Sequence, residues 1–133
     1  DRTQQLFNML SGPSADPVPV GPDLLRFDAC HPYACNVRAT LFITRAGEIE
    51  GAAMLFPDCG GKHCNGNEGL RLTIFRDRRH PDVAELARQW AEANVAANNA
   101  RFANGNETIA RVAVEDVPPV TAVPARRASR PRR

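Results

Sequence analysis

Four cysteines stand in two pairs of one spacing: Cys30-His31-Pro32-Tyr33-Ala34-Cys35 and Cys59-Gly60-Gly61-Lys62-His63-Cys64. Two chemistries fit that spacing. Each pair can close on itself as a disulfide, which clips a small loop and fixes its shape at a modest entropic gain. Alternatively Cys30, Cys35, Cys59 and Cys64, or three of them with His31 or His63, can supply the tetrahedral donors that zinc takes. Free thiols and cross-pairing, such as Cys30 with Cys64, complete the alternatives. A c-type haem is excluded, because its attachment needs C-x-x-C-H and neither pair has it. Disulfides persist in oxidising compartments, so the leading expectation is an exported chain with no cofactor, with zinc as the alternative.

Other reactive groups do not converge. Ser11, Ser14 and Ser129 lie in Pro-rich or Arg-rich stretches that cannot hold an oxyanion site. Asp58, Asn65, Asn67 and Glu68 offer oxygens around the second cysteine loop, at spacings that match no calcium loop. Gly60-Gly61 lacks the following Lys-Ser/Thr of a phosphate loop. His80 precedes Pro81 and reads as a local cap. The expectation is therefore a protein that is not an enzyme.

Charge narrows the partners. Five of the 17 basic residues, Arg126, Arg127, Arg130, Arg132 and Arg133, sit in the last ten positions, and the 12 that remain are outnumbered by 15 acidic groups. The body is mildly acidic and the tail basic. The tail suits an anionic surface or an acidic partner, with salt-sensitive contacts. Nucleic acid is not expected, since no aromatic platform accompanies the arginines. The chain opens with Asp1, as a mature exported chain or a cut chain would. No apolar run reaches the roughly 18 residues of a membrane span.

The elements that must position the cysteines follow from periodicity. Pro13, Pro17, Pro19 and Pro22 exclude a helix or central strand and predict a linker after a short helix end over residues 3–10. Strands are predicted at Leu24–Ala29, Val37–Thr44, Ile49–Phe56 and Leu70–Phe75, with a weaker one at Thr108–Val114. A two-residue turn at Ala46-Gly47 would set Leu41 opposite Ala52, Ala39 opposite Met54 and Val37 opposite Phe56, a mutually apolar face. Phe27, Phe42 and Phe75 are expected on the opposite face. Pro81 and Asp82 open a helix whose inner face is Val83, Leu86, Trp90, Ala93 and Ala97, ended by Asn104-Gly105-Asn106. These predict an α+β fold: an antiparallel meander of four to five strands, a C-terminal helix on one face, and both C-x4-C loops at one end. The loop centres would then lie roughly 10 Å apart, two strand spacings. Residues 1–22 read as helix end and linker, 23–115 as the domain, and 116–133 as a flexible tail.

The segment from Cys30 to Cys35 resembles the protruding loop of the Ivy family, periplasmic inhibitors of vertebrate-type lysozyme, which carry C-x-P-H-x-C between two strands. Cys30, Pro32 and Cys35 match; Tyr33 stands at the family's histidine and Ala34 at its frequent aspartate. The resemblance implies a disulfide-held loop that enters an enzyme cleft. Independently, a loop stiffened by Pro32 loses little entropy on binding, and Tyr33 is of the type that anchors interfaces. The expected partner is a protein, contacted by His31, Pro32 and Tyr33; the alternative is a structural accessory subunit of a larger cell-envelope assembly, with residues 13–22 and the Arg-rich tail lying along its neighbours.

Overall fold

A computed structural model describes residues 4, 10, 12, 15–31, 34–61 and 63–118, without the side chains of 31, 34 and 35. Strands β1 (Val18–Gly21), β2 (Leu24–His31), β3 (Ala34–Thr44), β4 (Ile49–Pro57) and β5 (Leu70–Asp77) follow one another. Helix α1 (Val83–Arg101) and strand β6 (Ile109–Val117) complete the chain order. All six strands form one sheet, in the order β1 to β6. The fold is α+β, as expected. The expected purely antiparallel sheet of four to five strands is replaced by a mixed sheet of six, because β6 runs parallel to β5.

The parallel pairing has a simple cause. A 19-residue helix spans about 28 Å at 1.5 Å per residue, close to the length of the eight-residue β5. One pass of α1 therefore returns the chain to the level at which β5 began. The next strand then runs in the same direction, since a crossover and not a hairpin joins the two. At the other edge, part of the expected linker is a strand. Val18 and Pro19 pair with Arg26 and Leu25, and Pro19 sits where an edge strand tolerates a missing N–H.

The β3–β4 register agrees with the sequence pattern at Ala39↔Met54 and Leu41↔Ala52. The route differs. Thr44 N donates to Glu48 O at 2.8 Å, so the turn holds three residues, with Gly47 at φ 91° in the left-handed region. A bulge between Phe42 and Ile43 then restores the register that a two-residue turn would have set. The three phenylalanines divide between faces. Phe27 pairs with Leu41 and Phe75 with Ala52, while Phe42 sits fully buried on the opposite face among the residues under α1.

Val83, Ala87, Trp90 and Ala91 form the buried stripe of α1, packed on Phe42, Ala53, Leu55, Leu72 and Ile74. Ala93 and Ala97, expected inside, are exposed. The helix carries alanine on every side, so its large residues, Val83 and Trp90, set which face turns inward. Gly51 lets the helix start approach: a Cβ there would lie 2.6 Å from both Phe75 O and Val83 Cγ1. On the other face Ala39 and Met54 pack with Val37, Phe56, Phe75 and Leu10; the helix expected over residues 3–10 lies mostly outside the described residues.

Candidate functional site

The second cysteine loop is built as a braced turn between β4 and β5. Cys59 and Cys64 form a disulfide with Cα atoms 5.3 Å apart. Gly60 and Gly61 inside it both take positive φ, 59° and 78°, a conformation open to glycine without a steric penalty. The following turn is held by Glu68, whose carboxylate accepts the backbone N–H of Asn65 and of Gly66, while Asn65 Oδ1 accepts the N–H of Asn67 at 2.9 Å. The Asn65 N–H leads the contacts that hold the Glu68 carboxyl below its usual range. Asp58 is engaged with Arg111 Nη2 at 3.0 Å. Of the oxygens considered for calcium, those of Asp58, Asn65 and Glu68 thus serve turn and strand.

Cross-pairing of Cys30 with Cys64 does not occur, since Cys64 is bonded to Cys59. Joined sulfurs are not thiolates, so in this redox state Cys59 and Cys64 offer zinc no thiolate donor. They lie with Glu68 in one cluster whose ligand atoms are within 4.8 Å of one another, but the disulfide occupies the sulfur chemistry.

The first cysteine segment is shorter than a six-residue loop. Strand pairing continues through Cys30↔Arg38 to His31↔Ala34, so Cys30 and Cys35 lie within β2 and β3. Cys30 is disulfide-bonded. The expected Cys30–Cys35 bond falls on a side chain outside the described residues, as do the side chain of His31, Pro32 and Tyr33, and Arg126, Arg127, Arg130, Arg132 and Arg133. His80 closes the turn before α1: its N–H donates to Asp77 O at 2.9 Å, its carbonyl accepts from Val83, and its Nδ1 lies 3.3 Å from Glu50.

A polar constellation absent from the sequence reading lies beside Cys30. Helix α1 covers β4 and β5, and its flank faces β2 and β3 across a cavity of about 300 Å³. Asp28, Cys30 and Arg38 form its floor, and Trp90, Asn94, Asn98 and Arg101 its wall. Asp28 is satisfied by Arg26 Nε at 2.8 Å and Thr40 Oγ1 at 2.7 Å. The Arg38 side chain, 9% exposed, donates from Nη2 to Glu107 Oε2 at 2.7 Å. Asn98 donates to the other Glu107 oxygen, and Asn99 grips the Glu107 backbone at both N–H and carbonyl, at 2.8 and 2.9 Å. Glu107 therefore ties β3, α1 and the connection to β6 together.

Two donors in this region have no acceptor: Arg38 Nε and Trp90 Nε1 are buried without a hydrogen-bond partner. One signal in the sequence pointed here. Arg38 and Thr40 share the parity of Phe42, so the alternation that buries Phe42 also turns an arginine toward the core.

Among the described residues no helix is long and apolar enough to cross a membrane. Comparison with protein-family models, curated proteins and solved structures finds no match, so the geometry carries the functional reading.

Proposed function

We propose that the chain is an exported, non-enzymatic protein-binding module, inhibitor-like in its use of rigid loops. The observation that carries this is the braced loop over Cys59 to Glu68, closed by a disulfide and held again by the Glu68 carboxylate. A surface that is already ordered gives up little conformational entropy when a partner docks. The disulfide also suits an oxidising compartment. The antiparallel order of β2 to β5 supports a shared end for this loop and the turn that follows His31. Tyr33 is the proposed anchor at that end, and a cell-wall-degrading enzyme of the lysozyme type is the proposed partner.

Calorimetric titration with a purified vertebrate-type lysozyme tests this. Saturable binding that Tyr33→Ala abolishes, at nearly unchanged melting temperature, is the expected result. Equal binding by that variant would remove the first loop from the mechanism. No binding by the parent chain would remove the inhibitor reading.

A further inference from the structure

The groove between α1 and β2–β3 holds hydrogen-bonding capacity that the protein does not use. Both carboxylates there are engaged: Asp28 takes Arg26 and Thr40, and Glu107 takes Arg38 and Asn98. The Asn94 amide donates to Trp90 O at 2.9 Å. The buried side-chain groups left without a partner there are donors. Arg38 Nε and Trp90 Nε1 are unpaired, and both residues are more than nine-tenths buried, at 7% and 2% exposure. Neither side chain has acceptor capacity with which to reorganise. A buried N–H without an acceptor is costly, and two on residues that line one cavity point to an acceptor from outside. Arg101, exposed at the rim, adds a further charged donor.

We propose that this groove binds a single carboxylate group, held by Arg38, Trp90 and Arg101. Charge selects the class. Arg38 is already balanced by Glu107 and Asp28 by Arg26, which leaves one positive charge, on Arg101, for the ligand. A monoanion matches that surplus. A phosphate dianion would meet the Asp28 and Glu107 carboxylates with a charge left over. Size agrees: about 300 Å³ holds roughly ten water volumes, at about 30 Å³ each, so a carboxylate fits with a few attached atoms. Both unpaired nitrogens are closed to water, in the cavity as in bulk, so binding requires the side chains over them to turn aside, as side chains commonly do when sites fill. The site is independent of Tyr33, and its failure would leave the partner reading untouched.

Trp90 is the only tryptophan, so its indole N–H gives one resonance and its emission reports one place. The full chain is titrated with N-acetylglycine and, in parallel, with the uncharged N-acetylglycine amide. The acid is expected to move the indole N–H resonance downfield, saturating in the millimolar range, while the amide leaves it in place. Arg101→Gln, at an exposed position, is expected to weaken binding about tenfold, the effect of one charge-assisted hydrogen bond. Arg38→Gln should abolish it. If that variant fails to fold, Arg101→Gln alone decides. A capped peptide with an internal glutamate distinguishes the source. Binding as tight as that of the acid assigns the site to an acidic side chain of a partner, and binding of the acid alone assigns it to a small carboxylate or a chain terminus. An equal response to acid and amide, no saturable response, or an unchanged response in Arg101→Gln would overturn the proposal.

Discussion

Replacing Glu107 by glutamine removes one charge and few atoms, and it tests whether the β3–α1–β6 junction is electrostatic. The backbone bonds from Asn99 to Glu107 survive the change, because they use its N–H and carbonyl. Asn98 can still donate to the new amide oxygen. Arg38 loses its counter-charge, and its Nη2, 2.7 Å from Oε2, then faces an amide that is neutral at best and a competing donor at worst. Removing one partner of a fully buried ion pair costs about 3–5 kcal/mol. The Glu107 side chain is 21% exposed, and water reaching it softens the loss. The expected destabilisation is about 2–3 kcal/mol, between that limit and the roughly 1.5–3 kcal/mol of a charged hydrogen bond. In urea, at a slope of about 1.5 kcal/mol/M, the midpoint should fall by about 1.5 M with the slope unchanged. The double variant Arg38→Met/Glu107→Met should recover part of the loss, because no buried charge is then left alone. A loss below about 0.5 kcal/mol, or strict additivity of the two single changes, would show a pair screened like a surface ion pair and refute the reasoning.

Three further outcomes follow from the packing and the loops. Gly51→Ala should cost about 1–3 kcal/mol by overpacking, read by differential scanning calorimetry, since its Cβ meets backbone Phe75 O at 2.6 Å as well as Val83. Asp77, gripped first by the Arg79 side chain and then by the Arg79 N–H, has its carboxyl lowered from 3.8 to about 2. The unfolded chain binds that proton first, so the Asp77 contribution is complete above 3.8 and is lost as pH falls toward about 2. Urea midpoints across that window should drop less in Asp77→Asn than in the parent. Opening the second loop with Cys59→Ser/Cys64→Ser should cost about 2 kcal/mol by the chain-entropy relation for so short a loop, and unchanged thermal stability would argue against that account.

Local chemistry determined much of this protein. Alternation in β3 and β4 and the turn at Gly47 brought Ala39 to Met54 and Leu41 to Ala52, because a period of two and a tight turn leave few registers open. Pro81 and Asp82 marked the start of α1, and the C-x4-C spacing allowed a disulfide within the second pair, which Cys59–Cys64 forms. Each of these rests on residues close in sequence. Tertiary structure decided what lay further apart. A proline-rich segment became edge strand β1 because its neighbour β2 offered an open ladder. β6 turned parallel because a single helix carried the chain back along β5. The polar groove formed because α1 settled over β4 and β5 and left its flank facing β2 and β3. Arg38 and Glu107 stand 69 residues apart. Periodicity tells which way a side chain points within its own element, and only the assembled sheet and helix tell what it meets there.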